Sequence, residues 1–505
     1  MTASSGVLRL VRAEWTKFRT VRGWVITLVA AALATVLTGM IFAVGSHSSC
    51  SNGPIEVPCP VPPVGPGGEA VEDRFYFVHQ PLTGDGSITV RLTSMTGIIT
   101  YPPPDHDKIV PGLVPWAKAG IIVKDGTRPG SSYAALMVTG ANGVRMQHDF
   151  THDIPGRPGS TPRWLRLTRT GQELTGYESA DGRQWTKVGT ARLVLPDTVR
   201  VGLFVNSPGD LTVKQGDVGG NIEQKRFTQT TAVFDQVTLR GSSGTWSRDD
   251  VGDLPGQTDW ERYHRPNGLV KSGGSFTVTG TGDIAPSVDG MAIEDTLPGV
   301  PTGLVVVMVV AVLFITVEYR RGLIRTTLLA SPRRGRALAA KALVIGAMAF
   351  AAGLAAAAVT VPVGTRMLSA NGFHLLPASL LTELRVIAGV GAVFALAAVL
   401  ALALGTLFRR ATAAVVAAIA LIILPYVLAT ATPIPDSVSQ WLLRLTPAAG
   451  LAIKQSIPEY PQVLSYYAPS DGYFPLPPWA GLAVMFGYAA LALGLAVLKL
   501  RRRDA

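Results

Sequence analysis

The sequence lacks a phosphate-binding loop, because no Gly-x-x-x-x-Gly-Lys-Ser/Thr motif occurs anywhere in its 505 residues. In a large class of ATPases that loop supplies the backbone N–H groups and the lysine that hold the nucleotide phosphates. Its absence excludes ATP hydrolysis by that route. We expect no cofactor in this chain and no enzymatic activity.

Cysteine is also scarce. The two cysteines, Cys50 and Cys59, follow shortly after the first apolar run. In an oxidising compartment they would close a short disulfide loop worth about 2–3 kcal/mol. The alternative is two free thiols in a flexible, proline-rich segment. We predict the disulfide.

Long apolar runs, in contrast, are frequent, and the mean hydropathy of the chain is +0.31. A helix needs roughly 20 apolar residues to cross the hydrocarbon core of a bilayer. The first run is too long for a signal-peptide core, and we read it as a retained span. Six runs predict a six-span helical bundle: 24–44, 299–317, 342–363, 386–407, 411–430 and 479–498.

Lys and Arg gather beside these runs, whereas carboxylates are absent from the middle of every run. Loops rich in Lys and Arg stay in the cytoplasm. The basic segments therefore place both termini in the cytoplasm of a plasma-membrane protein and residues of about 45–298 outside the cell: 9–22, 320–341, 409–410 and 499–503. Since the net charge of +11 follows this topology, we expect no nucleic-acid binding. Ion-coupled carriers usually need a carboxylate in mid-membrane, so the spans do not look self-powered.

The segment before the first span, 1–23, shows helical periodicity. Its apolar residues are spaced by three or four, with cations between them: Val7, Leu8, Val11, Trp15, Phe18 and Val21. This pattern predicts an amphipathic helix that lies in the cytoplasmic interface of the bilayer. The alternative is a charged flank of the first span.

Between the first two spans, a Pro- and Gly-rich linker at 45–71 precedes a region, 72–298, with the pattern of β structure. Residues 163–190 predict a three-stranded meander with turns at Thr170–Gly171 and Asp181–Gly182. Regularly spaced short strands predict an inserted, extracellular, all-β antiparallel sandwich.

Three stretches of this insert resemble a concanavalin-A-like jelly roll: WAKAGIIVKDG at 116–126, the meander, and VRVGLFVNSP at 199–208. Members that cleave sugars and resemble laminarinases carry Glu-x-Asp-x-x-Glu on one strand, as paired carboxylates require. This chain has no such run, and Glu72–Asp73 and Glu294–Asp295 are adjacent pairs, which on a strand would face opposite ways. We therefore expect no glycoside hydrolysis.

Such domains often bind sugars, and four aromatic residues could stack on sugar rings: Trp116, Trp164, Tyr177 and Trp185. Aromatic residues in strands more often belong to the core, so we expect a structural or protein-contact role, with a glycan ligand as the alternative. We expect no metal site, because the spacing of the candidate ligands is not that of a metal centre: Asp105, His106, Asp107, His148, His152 and Asp153.

The loop predicted between the second and third spans, 318–341, combines a short apolar stripe with many cations. Glu318 starts the segment EYRRGLIRTTLLASPRRGRALAAK, and Pro332 breaks its helical pattern. A short amphipathic helix here would give a cytoplasmic motor a surface to push. The alternative is a basic loop that only holds the topology.

With its surroundings, this loop resembles the permease subunits of ABC-2-type transporters, which carry Glu-x-Arg-x-Gly-x-Ile-Arg-x-Thr-Leu followed by Pro. The matching residues are Glu318, Arg320, Gly322, Ile324, Arg325, Thr327, Leu328 and Pro332. The segments 404–418, 441–455 and 477–505 resemble the same family. The large insert departs from simple members.

The resemblance implies a half-transporter in the lipid bilayer, most often an exporter. A second permease copy, identical or not, would complete the pathway, and separate ATPase subunits would drive it through the loop around Arg325. In such permeases the region matching 431–478 carries short re-entrant helices, and a Pro-rich loop is the alternative. The competing hypothesis for the whole chain is a membrane-anchored carbohydrate-binding or sensing protein without transport activity.

Overall fold

A computed structural model describes residues 3–52, 55–57, 59, 61–101, 108–215, 221–242, 244–252, 265–320, 334–431 and 434–502. Its described part contains eight α-helices: α1 Ala3–Thr20, α2 Arg22–Gly45, α3 Val300–Arg320, α4 Arg334–Ala370, α5 Leu380–Phe408, α6 Ala411–Ala431, α7 Asp436–Leu445 and α8 Pro478–Arg502. Six of them, all except α1 and α7, are long and apolar enough to cross a membrane. These six helices indicate a membrane protein.

Small residues allow the long helices to pack closely. Gly353 of α4 lies against Phe394 of α5, and a Cβ there would approach the Phe394 ring carbon to 2.7 Å. Gly303 of α3 meets the Thr35 side chain of α2 in the same way. Because glycine lets two backbones approach, these positions give the bundle its tight core. Of the six long helices, α5 is the most enclosed, because about two-thirds of its most apolar stretch is buried.

The helices extend beyond the predicted runs and shorten the predicted loop 318–341. The α3 helix continues to Arg320, and α4 begins at Arg334. Glu318 and Arg320 therefore lie on α3, and Lys341 lies on α4. Charged residues can continue a membrane helix at its ends, where they reach partners or water, so apolar runs alone underestimate the length of the helices.

The predicted antiparallel β-sandwich is confirmed between α2 and α3. It consists of a seven-stranded sheet and an eight-stranded sheet. Leu, Val and Ile from alternating positions of both sheets fill the space between them. The predicted meander forms three successive strands, and its turn glycines Gly171 and Gly182 adopt positive φ.

The strands have these bounds: β1 Cys50–Asn52, β2 Ile55–Val57, β3 Val71–Asp73, β4 Phe75–Thr83, β5 Gly86–Thr100, β6 Ile109–Pro111, β7 Lys118–Lys124, β8 Tyr133–Thr139, β9 Val144–His148, β10 His152–Pro155, β11 Arg163–Thr170, β12 Glu173–Ser179, β13 Thr186–Arg192, β14 Thr198–Asn206, β15 Asp210–Gln215, β16 Asn221–Arg226, β17 Thr228–Arg240, β18 Ser247–Val251, β19 Gly268–Ser272, β20 Ser275–Gly280 and β21 Ile284–Pro286. The seven-stranded sheet has the order β10-β9-β8-β7-β14-β4-β18, and the eight-stranded sheet has the order β13-β12-β11-β5-β17-β20-β19 with β6 on β5. The meander is β11, β12 and β13. The predicted linker 45–71 contains the β1–β2 hairpin, and its last residue starts β3. A disulfide joins Cys50 and Cys59.

A second apolar core lies on the outward face of the seven-stranded sheet. There the first and last strands of the insert, β3 and β21, pair with each other. Their side chains pack with aromatic residues of that face, including Phe75, Phe77 and Phe204. Part of the outward face of this sheet is therefore covered by the chain itself.

Two buried lysines of β7 hold these terminal strands. Lys124 Nζ lies 2.6 Å from Asp73 Oδ2 of β3, and Lys118 Nζ lies 2.6 Å from Asp283 Oδ1, one residue before β21. All four side chains are nearly or fully buried. Because residues 118 and 124 share one face of the strand, a single strand fixes both ends of the insert.

Candidate functional site

Four charged residues meet where α1, α3 and α4 converge, and we call them the charge cluster: Glu14, Lys17, Glu318 and Lys341. Lys341 Nζ donates to Glu14 Oε2 and to Glu318 Oε1, both at 2.7 Å. Lys17 Nζ lies 3.2 Å from Glu318 Oε1 and 3.6 Å from Glu14 Oε1. The cluster thus joins three helices. Of these, α3 ends just before the basic segment 321–333, and α4 begins just after it.

The charge cluster is enclosed and locally balanced. Glu14, Glu318 and Lys341 are 4%, 8% and 2% exposed, whereas the side chain of Lys17 is 48% exposed. Two carboxylates face two ammonium groups, which offsets the cost of removing these charges from water. A buried charge that loses its partner costs several kcal/mol, so this arrangement fixes how the three helices meet.

Aromatic rings surround the cluster. Phe314 lies one helical turn before Glu318, and its ring centroid is 5.3 Å from Lys341 Nζ. Phe18 of α1 and Trp24 of α2 contact the Phe314 ring edge to face, at 6.0 and 5.7 Å. These rings cover one side of the cluster, and Phe314 adds a cation–π interaction with Lys341.

The pKa of Lys17 is raised. Burial by itself would lower the pKa of this ammonium group, but the carboxylates of Glu14 and Glu318 raise it further than burial lowers it. Lys17 therefore stays protonated at physiological pH and completes the charge balance.

Cationic ends of other helices lie at the same end of the bundle. The guanidinium of Arg409 lies over the ring of Tyr319, which follows Glu318, at 5.4 Å. Lys499 near the end of α8 donates to the carbonyl of Leu407. Arg409 adopts positive φ and closes the turn between α5 and α6 with an N–H bond to Gly405 O at 3.0 Å. The basic borders predicted from the sequence therefore meet in one region.

Of the predicted coupling residues, the structure describes two. Glu318 points into the charge cluster, and Arg320 lies exposed at the last position of α3. Six lie outside the described residues: Gly322, Ile324, Arg325, Thr327, Leu328 and Pro332.

Sequence reasoning did not identify Glu14 and Lys341 as partners of Glu318. The signal was present, because Glu14 is the one acid of a basic helix and Lys341 starts an apolar run.

Three of the four aromatic residues considered for sugar stacking, Trp116, Trp164 and Trp185, contact arginine side chains, and Tyr177 is half-buried. Trp116 is 6% exposed with Arg145 at 5.3 Å from its ring. The Arg166 guanidinium lies 3.9 Å from the Trp185 centroid, and Arg91 lies 5.9 Å from that of Trp164. These contacts place arginines where a sugar ring would stack.

Among the described residues, no group of three His, Cys, Asp or Glu side chains is placed so that it could hold a metal ion. The rings of His148 and His152 stack at 4.2 Å, and Asp153 bonds to Arg145 at 2.9 Å. Three candidates lie outside the described residues: Asp105, His106 and Asp107. The pair Glu294–Asp295 lies on a 3₁₀ turn, Ile293–Thr296, and not on a strand.

No family model and no curated protein matches the chain. Among solved structures, it is similar to a functionally unknown protein from Saccharomyces cerevisiae at 15% identity and a TM-score of 0.20, over 39% of this chain and 93% of that one. It is also similar to a mutant of the GH43 protein BlXynB from Bacillus licheniformis at 16% identity and a TM-score of 0.19, over 31% of this chain and 27% of that one. At these TM-scores neither similarity bears on fold or function.

Proposed function

We propose that the chain is the permease subunit of an ABC-2-type transporter, an exporter powered by a separate ATPase subunit. The observation that carries the proposal is the charge cluster. It ties α1 to the end of α3 and the start of α4, the two helices that border the segment resembling the coupling loop. A push on that segment would therefore reach three helices at once.

The direction of the chain in the membrane follows from charge. The end of the bundle that holds the cluster also holds the basic borders of α5, α6 and α8. Such ends stay in the cytoplasm. The sandwich, at the opposite ends of α2 and α3, then lies outside the cell, where a disulfide between Cys50 and Cys59 persists.

Binding of the ATPase at the cytoplasmic end gives the cluster a mechanical role. A buried ion network has few alternative arrangements that leave every charge paired. Movement of the coupling segment would consequently be transmitted to α1 and α4 as a unit. A second copy of the permease completes the pathway, because a single bundle of this size provides only one wall of it in the family the sequence resembles.

The competing function is a membrane-anchored carbohydrate-binding or sensing protein. Two observations favour the permease over it. Six helices able to cross a membrane far exceed what an anchor needs. In addition, part of the outward face of the seven-stranded sheet is covered by β3 and β21, and three of the four candidate tryptophan and tyrosine rings are engaged by arginines.

The test is ATP hydrolysis by the chain purified in lipid nanodiscs with the ATPase encoded beside it. We expect turnover that depends on this chain and falls strongly in Arg325→Ala and in Glu318→Gln. The exposed residues Glu459 and Arg240 provide matched controls, since Glu459→Gln and Arg240→Ala should leave turnover unchanged. Equal turnover in all variants, or no ATPase that binds the chain, would reject the proposal.

A further inference from the structure

A segment of irregular backbone lies deep in the half of the bundle next to the sandwich. The eight residues Pro447–Lys454 form a 3₁₀ helix, and all of them are buried. Runs of 3₁₀ helix longer than three or four residues are uncommon, because their hydrogen bonds are poorly aligned. Such a segment needs support from outside itself.

The support on its sides comes from two membrane helices. Ile453 packs against Gly389 of α5 so closely that a Cβ at residue 389 would lie 2.3 Å from Ile453 Cγ1. Gly450 meets Met485 of α8, and the carbonyl of Ala449 lies against Gly481. The 3₁₀ segment is therefore wedged between α5 and α8.

The support at its C-terminal end comes from the segment that joins β21 to α3. Ser456 N–H donates to Glu294 Oε1 at 2.9 Å, and the Ser456 hydroxyl donates to Glu294 Oε2. Glu294 belongs to the Ile293–Thr296 turn, which connects the last strand of the sandwich to α3. One carboxylate thus holds both the backbone and the side chain of a residue just beyond the 3₁₀ segment.

Glu294 is itself held firmly. Asp295 Oδ2 accepts the N–H of Ala292 at 2.7 Å and closes the turn. Met291 N–H donates to His374 O at 2.8 Å, and Leu376 N–H donates to Met291 O at 2.9 Å. Because His374 and Leu376 belong to the segment between α4 and α5, these bonds fix the start of the turn to the bundle, while the chain before it continues back to β21.

A second contact joins the sandwich to the same loop of the bundle. Gln462, 3% exposed, donates to the carbonyls of Phe150 and Thr151 at 3.4 and 3.5 Å. Asp149 and Phe150 both adopt positive φ, a conformation that residues with side chains rarely take. The sandwich and the 455–474 loop therefore meet at two places.

We propose that Glu294 is a positioning residue that sets the place of the Pro447–Lys454 segment, so that a displacement of the sandwich displaces this segment. The sandwich then acts on the neighbouring half of the bundle through the Glu294 carboxylate. The consequence for turnover rests on the proposed transport function, whereas the positioning itself does not.

The test is hydrogen–deuterium exchange of the full chain in lipid nanodiscs. In Glu294→Ala we expect the amides of residues 448–457 to exchange about tenfold faster, because a charge-assisted acceptor is lost. Amides of β7 should not change. Ser456→Ala, which keeps the backbone bond, should give a smaller increase, and Glu459→Gln on the same loop should give none.

Unchanged exchange at 448–457 in both Glu294→Ala and Ser456→Ala would overturn the proposal, as would an equal increase in β7, which would indicate general destabilisation. A second measurement tests the consequence. With Glu294→Cys and Ser456→Cys combined, oxidation should change the turnover of the ATPase complex from that of the reduced double variant, and reduction should reverse this change, both measured relative to wild type treated in the same way. If exchange responds but turnover does not, the positioning role holds and its coupling to transport is rejected.

Discussion

Lys341 Nζ lies 2.7 Å from a carboxylate oxygen of Glu14 and 2.7 Å from one of Glu318, so a single ammonium group joins residues that are 327 and 23 positions away in the chain. The three residues belong to α1, α3 and α4. This relationship holds the N-terminal helix against the two long helices that border segment 321–333.

Replacing Lys341 by Met should destabilise the bundle strongly. The variant leaves two buried carboxylates without their main partner, and breaking a buried pair costs about 3–5 kcal/mol. Thermal unfolding of the full chain in detergent measures the effect. Lys17→Met is the matched control, because its half-exposed ammonium group should contribute only about 0–1 kcal/mol.

Neutralising the carboxylates should rescue the first variant in part. Lys341→Met combined with Glu14→Gln and Glu318→Gln removes the unpaired charges, so it should unfold at a higher temperature than Lys341→Met alone. If the triple variant were less stable than the single one, the cost would not arise from unpaired charge.

The buried pair of the sandwich should behave in the same way. Lys124→Met leaves Asp73 fully buried beside only the N–H of Gly130, at 2.8 Å. We expect a loss of about 3–5 kcal/mol, or about 6–20 °C in the unfolding temperature of the sandwich. The double variant Lys124→Met with Asp73→Asn should recover part of the lost stability.

The control is Lys225→Met, at an exposed pair with Asp289, which should shift the unfolding temperature little. A shift as large as that of Lys124→Met would contradict this account.

Acidification should weaken the sandwich through His148. Burial lowers the pKa of His148, and neighbouring His152 lowers it further, while Asp149 opposes them. Because folding disfavours the protonated form of His148, the stability of the folded state is undiminished above the unfolded pKa of about 6.5. Stability falls as the pH drops from there towards the lower pKa of the folded state. The unfolding temperature should therefore fall between pH 7.5 and 5.5, and less so in His148→Gln. His47→Gln, at an exposed position, should keep the full pH dependence; an equal reduction in both variants would exclude His148 as the source.

Much of the architecture could be predicted because it depends on local patterns. Apolar runs identified the six long helices, and alternation with glycine turns identified the β11–β13 meander. Partners distant in sequence could not be predicted. Lys118 and Lys124 stand at the two ends of an apolar run, as exposed lysines would, yet both are buried, because Asp283 and Asp73 come from the far ends of the insert.

The charge cluster illustrates the same limit. The sequence indicated that Glu318 is important, through its resemblance to a family motif. Its contact with Lys341 depends on how two helices continue past their apolar runs, and its link to Glu14 depends on how α1 folds back on the bundle. The 3₁₀ conformation of Pro447–Lys454 was equally hidden, since tertiary packing against Gly389 and Gly481 decides it.

The most direct test of the account is photo-crosslinking in living cells, with a photoreactive residue at Ile324 and, as a control, at Val194, which is 85% exposed in the sandwich. We predict that the Ile324 site captures an ATPase that carries a phosphate-binding loop and that the Val194 site does not. A chain present in the membrane at normal level that captures no ATPase at Ile324, or captures one only at Val194, would contradict the account.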